Sequence, residues 1–430
     1  MGRILNFLCA AVLLLKGGSL AAQVYTTAEP LRGHVNYLAD ERLAGRRAGS
    51  EGEVLAAEYV YDRLNAAGAV LLTPRQGQDF SIETPQGLLS SRNIVAIVEG
   101  SDPQLREQYI VVGANLDHLG TQEVTVDGRS LTQVYPGADK NASGLACLIE
   151  LARMAAANRY MLQRSVIFVA FGAQEEGLAG SWYFVNRAFT EIGSVKAMVN
   201  LDMLGHSGQD HPLRVYSSIS RSVLNALIDK TLEEPVLVPP VASDGLVRPS
   251  DHLAFHERGI PFFCFTTGAA RETRTVRDLP STLDYDNMGR LCNFLFYFIK
   301  TLSCEKVMLQ SGAPVEVKKE EGVYLPADCD RRPMFFNGDE RKFLTEWVYK
   351  YLKYPREAID AGIQGTVQVG FIVEKDGSVS NVEVVRGVDE LLDAEAVKVI
   401  GISPKWSPGK IDGKAVRTRL VLPVEFRLRK

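Results

Sequence analysis

The stretch YPGADKNASG (residues 135–144) decides how most of this chain is expected to fold. Its Pro-Gly pair predicts a tight turn, and the run that follows, residues 141–157 (NASGLACLIELARMAAA), is compatible with a helix. A turn that leads into a helix in this way presents a side chain at the mouth of an α/β sheet, where metals and substrates bind. The side chain presented here belongs to Lys140, a cation.

The segments around this stretch alternate between two patterns. Continuous apolar runs that end in Gly or an acidic residue predict buried strands, and they are NIVAIVEG (93–100), YIVVGANLD (109–117), SVIFVAFGA (165–173), AMVNLDML (197–204) and IPFFCFTTG (260–268). Runs with helical spacing lie between them, at residues 52–68, 144–157 and 286–302. Residues 24–302 are therefore predicted to form an α/β domain whose mixed, largely parallel sheet is sandwiched by helices.

The composition fits a soluble globular protein of more than one domain. The 430 residues are 46% hydrophobic and 23% charged with a net charge of −4, so no excess of basic residues points to nucleic acid. Arg3, the short apolar run 4–15 and the small residues near Ala22 predict a cleaved signal peptide over 1–22, with an uncleaved anchor as the alternative. The expected location is periplasmic or secreted.

Signal cleavage would remove Cys9 and leave five cysteines. Three of them lie in apolar patterns typical of a protein core. Cys304 and Cys329 flank a charged, proline-punctuated stretch, residues 303–332, which is interpreted as a linker. In an oxidising compartment these two cysteines are candidates for a disulfide bond.

Five acidic residues are expected at the carboxyl ends of the predicted strands, which converge in a sheet of this kind. They are Asp117, Asp139, Glu175, Glu176 and Asp202. Carboxylates that share a cleft repel one another unless a cation lies among them, so the sequence requires positive charge at this place.

Seven motifs of residues 24–302 resemble the co-catalytic zinc aminopeptidases of metallopeptidase family twenty-eight, whose fold also houses glutaminyl cyclases. They are LADERLAGRRAGSEGEVLAAEYV, NIVAIVEG, VVGANLDHLG, YPGADKNASGLACLIELAR, VIFVAFGAQEEGLAGSWYFV, MVNLDMLG and SDHLAFHERGIPFFCFTTG. The resemblance implies two zinc ions held by a His-x-Asp motif, a bridging Asp, a Glu-Glu pair that supplies a general base and a ligand, a further Asp, and a late His.

This sequence departs from that pattern at most ligand positions. Asn115 stands where the first His is expected, while Asp117 is retained as the orienting acid. Lys140 takes the position of the bridging Asp. Two of the metal-contacting positions therefore lack their expected donors.

The remaining positions are mixed. Gln174 and Glu175 align with the Glu-Glu pair, so the base becomes an amide and the ligand survives, as does Asp202. The late His falls on Arg274. The single-zinc site that the resemblance to glutaminyl cyclases implies is not expected either, because two of its ligand positions are occupied by Lys140 and Arg274.

The chemistry of these residue types argues against a catalytic metal. A guanidinium has no lone pair for zinc, an ammonium must first lose a proton, and an amide such as Gln174 cannot act as a general base. Glu175 and Asp202 are the residual candidates for metal binding, short of the three protein ligands of a catalytic zinc. No cofactor and no catalytic residue are expected, and Lys140 and Arg274 are predicted to pair with the two carboxylates.

Several alternatives remain at this stage. In the first, a one-residue slip in two loops brings Asp139 and Glu176 into the site. In the second, the cleft is disused and Lys140 and Arg274 point to solvent. An active zinc aminopeptidase would use rearranged ligands chosen from Asp117, His118, Asp139, Glu175, Glu176 and Asp202. A structural protein that docks at the envelope is the third reading. The prediction preferred here is an inactive aminopeptidase-like envelope protein that binds a peptide or protein partner.

Residues 333–430 resemble the C-terminal domain of TonB-type envelope proteins. Tyr354-Pro355, Asp376-Gly377 and Pro404-Lys405-Trp406 carry the resemblance, and two alternating runs that meet at Asp376-Gly377 predict a hairpin in a small α+β unit. The resemblance implies binding of an extended segment of another envelope protein by strand addition, for which the last strand leaves an edge.

Overall fold

The computed structural model describes residues 25–84, 87–126, 129–232, 239–243, 249–304, 322–336, 340–360 and 363–426. The predicted signal peptide, 1–22, lies outside these residues. Within them the buried apolar side chains form two large clusters on the N-terminal sheet and a separate cluster in the C-terminal part. The fold class is therefore as predicted, an α/β domain followed by a small α+β domain.

The N-terminal domain is built on a nine-stranded mixed sheet in the described part of the chain. The strands of this domain are β1 (Val70–Leu71), β2 (Gln78–Thr84), β3 (Gly87–Val98), β4 (Tyr109–Asn115), β5 (Thr121–Val126), β6 (Arg129–Val134), β7 (Ser165–Phe171), β8 (Val195–Leu201), β9 (Arg214–Ser217), β10 (Val241–Ala242) and β11 (Phe262–Thr266). The order across the sheet is β1-β3-β7-β4-β8-β11-β9-β10, with β2 paired to β3 and with β5 and β6 forming a separate ribbon. The four central strands, β7, β4, β8 and β11, run parallel.

Helices cover both faces of this sheet. They are α1 (Ala28–Leu38), α2 (Glu51–Ala66), α3 (Gly144–Ala157), α4 (Ala179–Tyr183), α5 (Arg221–Thr231), α6 (His252–Glu257) and α7 (Tyr285–Cys304). Because side chains alternate along a strand, Ile94 and Ala96 of β3 pack with α2, α3 and α7 on one face, whereas Val95 joins the core of α4 and α6 on the other. Burial on both faces explains why the central strands are continuously apolar.

The carboxyl ends of the central parallel strands meet at one edge of the sheet. β4 ends at Asn115, β7 at Phe171 and β8 at Leu201, and each is followed directly by a predicted site residue or loop. The segment Ala138–Ser143, which contains Lys140, leads into α3. This edge is where α/β sheets place their binding sites.

The C-terminal domain packs helices against a five-stranded sheet of order β12-β16-β13-β14, with β15 paired to β16. Its elements are β12 (Val323–Tyr324), α8 (Glu340–Phe343), α9 (Tyr349–Tyr351), α10 (Arg356–Asp360), β13 (Gly365–Val373), β14 (Val379–Arg386), α11 (Glu390–Gly401), β15 (Gly409–Ile411) and β16 (Lys414–Phe426). The predicted hairpin at Asp376-Gly377 joins β13 to β14. The predicted linker differs in one respect, because β12 lies within it and pairs with β16.

The two domains contact each other through the chain that precedes α8. The guanidinium of Arg332 lies 3.7 Å from the ring centre of Trp182 and 3.5 Å from the carboxylate of Glu257. Asp330 forms an ion pair with Arg187. No helix in the described residues is both long enough and apolar enough to cross a bilayer.

Cys304 and Cys329 are not joined in the structure, so the suggested disulfide is not formed. The thiol of Cys304 lies 3.4 Å from the carbonyl oxygen of Met161 in the first domain. The thiol of Cys329 lies 3.6 Å from the hydroxyl of Thr418 in the second. Each cysteine thus packs into the domain on its own side of the linker.

Candidate functional site: a polar cluster at the carboxyl edge of the sheet

The loop that carries Lys140 is held in place by backbone hydrogen bonds. The carboxylate of Asp278 accepts the backbone N–H groups of Asp139 at 2.7 Å and of Lys140 at 3.1 Å. Gly137 has φ = 63°, which favours glycine, and a Cβ there would overlap the ring of His118. These contacts direct the side chain of Lys140 into the protein.

The ammonium of Lys140 is buried, with 5% of the residue exposed. It donates to Asp202 Oδ1 at 2.7 Å, to Gln174 Oε1 at 2.7 Å and to Asn115 Oδ1 at 3.2 Å. An ammonium has three N–H groups, and all three find an acceptor here. Lys140 is therefore not in solvent, and its charge is matched inside the protein by Asp202.

Gln174 links this ammonium to the adjacent helix α6. Its Oε1 accepts from Lys140, and its Nε2 donates to Asp251 at 2.8 Å and to the hydroxyl of Ser250 at 3.1 Å. The lysine fixes which end of the amide faces it, because only the oxygen accepts. Burial raises the pKa of Asp251 to about 6.

Asn115 and Asp117 hold the end of β4 and the Gln174–Glu175 loop in place through hydrogen bonds to the backbone. Asn115 donates to the carbonyl of Asp117 at 2.7 Å, and the Asp117 carboxylate accepts the backbone N–H groups of Gln174 at 2.8 Å and of Glu175 at 3.0 Å. Burial, helped by the nearby charge of Glu175, raises the pKa of Asp117 to about 8. Asp117 thus orients the Gln174–Glu175 loop.

Arg274 and Glu175 form a second ion pair at the mouth of the cluster. The guanidinium donates to both carboxylate oxygens, at 2.7 and 2.8 Å, in the bidentate geometry that favours arginine. The Arg274 side chain is 40% exposed and that of Glu175 is 13% exposed. A peptide N-terminus would have to displace Arg274 to reach Glu175.

The acids that a one-residue slip would bring into the site lie elsewhere. Asp139 accepts the backbone N–H of Gly205 at 2.8 Å and faces His206 at 3.4 Å, and burial raises its pKa to about 7. Glu176 lines a cavity between the two domains. The structure therefore places Lys140 and Glu175, and not Asp139 and Glu176, at the cluster.

The histidines near the cluster form no hydrogen bond with Glu175 or Asp202 among the described contacts. His118 is buried, neither of its ring nitrogens has a hydrogen-bond partner, and burial lowers its pKa to about 3. His252 lies against the ring of Phe262, with 4.4 Å between ring centres. In the described residues, no three His, Cys, Asp or Glu side chains converge closely enough to hold a metal ion.

Sequence reasoning missed Arg46, which is fully buried. Its guanidinium donates to the backbone carbonyls of Leu116 at 3.2 Å, Pro136 at 2.8 Å and Gly137 at 3.0 Å. It thereby ties the end of β4 to the turn before Lys140. Arg46 lies in the segment LAGRRAGSEGE, and nothing in that segment distinguishes a buried arginine from a surface arginine.

The comparisons with known proteins agree with this architecture. Residues 93–299 match the model of peptidase family M28, and residues 350–428 match that of the Gram-negative bacterial TonB protein C-terminal domain. The first domain is therefore similar to peptidase family M28, and the second is similar to the TonB C-terminal domain. Both resemblances noted in the sequence are confirmed.

Curated relatives share only part of their length with this chain. A probable leucine aminopeptidase of Trichophyton verrucosum (strain HKI 0517) is 27% identical over 224 residues, which are 49% of this chain and 57% of that protein. A probable zinc metalloprotease of Pyrenophora tritici-repentis (strain Pt-1C-BFP) is 32% identical over 114 residues, which are 26% of this chain and 24% of that protein. The chain thus spans little more than half of the first relative and a quarter of the second.

Solved structures show the same fold for the first domain. Glutaminyl cyclase of Porphyromonas gingivalis has a TM-score of 0.53 at 18% identity and covers 65% of this chain and 100% of its own. An aminopeptidase of Aneurinibacillus sp. strain AM-1 has a TM-score of 0.51 at 17% identity, over 64% of this chain and 93% of its own. At these identities the likeness concerns the fold alone.

The residues at this site do not fit the zinc ions that the fold implies. Zinc needs lone pairs from imidazole, thiolate or carboxylate groups, whereas the centre of the cluster is the ammonium of Lys140, whose nitrogen only donates. The two retained acids, Glu175 and Asp202, already face Arg274 and Lys140. A dication at this centre would be repelled by both neighbouring cations.

Proposed function

We propose that the N-terminal domain is a pseudo-peptidase, which keeps the aminopeptidase fold but neither binds zinc nor hydrolyses peptides, and that the protein works by binding a peptide or protein partner in the cell envelope. The observation that carries this proposal is the position of the Lys140 ammonium, which lies 2.7 Å from both Asp202 and Gln174. The charge that metal ions supply in the active family is supplied here by a side chain.

The state of Gln174 supports the same conclusion. A general base for hydrolysis must accept a proton from water, which an amide does not do at ordinary pH. Both ends of the Gln174 amide are also engaged, one by Lys140 and the other by Asp251 and Ser250. The residue acts as a structural link between the lysine and α6.

The C-terminal domain supports a role in binding. β13 pairs with residues 418–426 of β16, and β12 pairs with residues 417 and 418 on the opposite side, whereas no described strand pairs with residues 419–426 on that opposite side. This edge has backbone N–H and C=O groups that an extended segment of another protein can pair with. An extracytoplasmic location, periplasmic or secreted, fits such a partner.

The test is a metal measurement joined to an activity assay. Purified full chain is incubated with zinc, dialysed and analysed for metal content, and then assayed with an aminoacyl chromogenic substrate. We expect much less than one zinc per chain and no turnover above buffer. Stoichiometric zinc together with turnover that a chelator abolishes would favour the alternative, an active aminopeptidase with rearranged ligands.

A further inference from the structure

A cavity of about 290 Å³ lies between the two domains, apart from the polar cluster. One wall is formed by residues 80–84 of β2, a second by α4 and the residues that flank it, and a third by residues 329–334 of the connecting chain. The volume is at the lower end of the range for ligand sites. It is suited to a short extended segment.

The wall formed by β2 is the edge of a strand. Successive side chains of a strand point to opposite faces, so a cavity lined by five consecutive residues, 80–84, lies along the edge of the strand and not over one face. β2 pairs with β3, and no other strand among the described residues pairs with it. Its second edge is thus open toward the cavity.

The register shows which backbone groups this edge offers. Thr84 pairs with Gly87 across two residues, and the closing pair of a two-residue hairpin is the hydrogen-bonded kind. Because the kinds of pair alternate, Ser81 and Glu83 direct their N–H and C=O groups outward. The 3.1 Å contact between the hydroxyls of Ser81 and Ser90 agrees, since side chains are closer in a non-hydrogen-bonded pair.

The other walls combine aromatic surface with unused donors. Phe80 stacks on Tyr183, with 5.2 Å between ring centres, and Trp182 lies beside them. The indole Nε1 of Trp182 and the Nε of Arg331 are buried without a hydrogen-bond acceptor. A buried donor without an acceptor is unfavourable, so an acceptor brought into the cavity would relieve it.

We propose that this cavity binds an extended peptide segment of a partner protein, which adds a strand to β2. The backbone of the segment pairs with Ser81 and Glu83, a bulky apolar side chain contacts the Phe80–Tyr183 pair, and a carbonyl or carboxylate oxygen accepts from Arg331. This second site is independent of the Lys140 cluster. It holds whether or not the N-terminal domain is a pseudo-peptidase.

The test uses immobilised full chain and a synthetic pool of acetylated hexapeptides with phenylalanine at a central position. Retained peptides are identified by mass spectrometry, and their affinity is measured by titration. The Ser81→Pro variant removes one outward N–H and leaves the pairing with β3 intact, so we expect binding to weaken roughly tenfold. Thr125→Pro likewise removes the outward N–H of a non-hydrogen-bonded pair, Thr125 with Ser130, in the exposed ribbon β5–β6, and should bind like the wild type.

A second measurement leaves the protein unchanged. Two versions of a retained peptide carry N-methyl groups on alternate residues, so that one version loses the amide hydrogens that face β2 and the other loses those that face away. We expect one version to lose binding and the other to keep it. Retention of no peptide, equal retention by Ser81→Pro and wild type, or equal effects of the two methylation patterns would overturn the proposal. Binding that persists in Lys140→Met separates this site from the polar cluster.

Discussion

The Lys140 side chain acts as an internal counter-ion for the carboxylate of Asp202. Its ammonium is buried among three oxygen acceptors, one of which is the carboxylate of Asp202. A buried charge with a satisfied shell is tolerated, but removal of one partner leaves the other without compensation. The stability of the N-terminal domain is therefore expected to depend on this single side chain.

Lys140→Met should lower the free energy of unfolding by about 3–5 kcal/mol, because it leaves Asp202 buried and unpaired. Urea unfolding at neutral pH measures the change. A double variant, Lys140→Met with Asp202→Leu, should recover part of the loss, since no uncompensated charge remains.

Arg42→Met is the matched control in the same domain. Arg42 pairs with Asp40 on the surface, with 72% of its side chain exposed, so solvent screens the pair and its loss should change the free energy of unfolding far less than the loss of Lys140 does. A loss for Lys140→Met as small as that of the control would show that the cluster contributes no more than a surface pair.

Glu53 is expected to make stability depend on pH. Burial raises its pKa from 4.5 to about 7, although the Ser91 hydroxyl and the Gly49 N–H donate to it and oppose the shift. The protonated form is favoured in the folded state, so its contribution is fully present below about pH 4.5 and is lost as the pH rises through about 7.

Urea unfolding of the wild type and of Glu53→Gln across this range tests the expectation. The difference in free energy of unfolding, wild type minus variant, should fall by up to roughly 3 kcal/mol as the pH rises. The other buried carboxyl groups are common to both proteins, and the measured difference also includes the coupling to Asp117, whose pKa is raised by burial and by the charges of Glu175 and Glu53. Parallel curves would contradict a raised pKa at Glu53.

The ion pairs of the site were predictable from the sequence, whereas its other hydrogen bonds were not. Pairing of Lys140 and Arg274 with Asp202 and Glu175 follows from electroneutrality among residues placed at one sheet edge. The bond from Gln174 to Asp251 and the bracing by Arg46 depend on where α6 begins and how a turn is oriented. Residue spacing does not encode either of these directions.

At the scale of elements, strands buried on both faces were predictable because they are continuously apolar. β4, β7 and β11 lie within the predicted runs, and β8 overlaps its run but begins two residues before it, at Val195. The edge strand β2 and the ribbon β5–β6 were missed, because exposed strands mix polar and apolar residues as loops do. β12 was read as linker because two paired residues leave no periodicity.

Gly377 closes the hairpin between β13 and β14 with φ = 84°. A Cβ at this position would overlap the carbonyl oxygen of Trp406, so Gly377→Ala combines backbone strain with a clash. Gly413 has φ = 72° with open space around it, so Gly413→Ala carries the strain alone, about 1–2 kcal/mol.

Thermal unfolding followed by near-ultraviolet circular dichroism compares the two glycine variants. Gly377→Ala should lower the melting temperature of the C-terminal domain clearly more than Gly413→Ala does. Equal shifts would mean that the segment around Trp406 moves aside without resistance.

Substitutions at the ligand positions should restore metal binding to the whole protein if the backbone of the surrounding loops still has the geometry of a metal site. The variant that combines Asn115→His, Lys140→Asp, Gln174→Glu and Arg274→His restores the donor types of the family at one sheet edge. We expect it to bind about one or two zinc ions per chain, since each site then gains carboxylate and imidazole ligands.

Calorimetric titration with zinc measures this gain against the wild type. A variant with Lys140→Asp alone is the control, because it removes the central cation but supplies no imidazole, and it should bind zinc weakly. Absence of zinc binding by a folded quadruple variant would show that the surrounding loops no longer have the geometry for a metal centre.

The buried ammonium of Lys140 also bears on whether the protein depends on metal ions from its surroundings. A metalloenzyme must obtain its ions from the surroundings after synthesis and loses its function when they are scarce. In this chain the balancing charge is encoded in the gene and arrives with the polypeptide. Its N-terminal domain should thus mature to the same state in metal-starved and metal-rich surroundings.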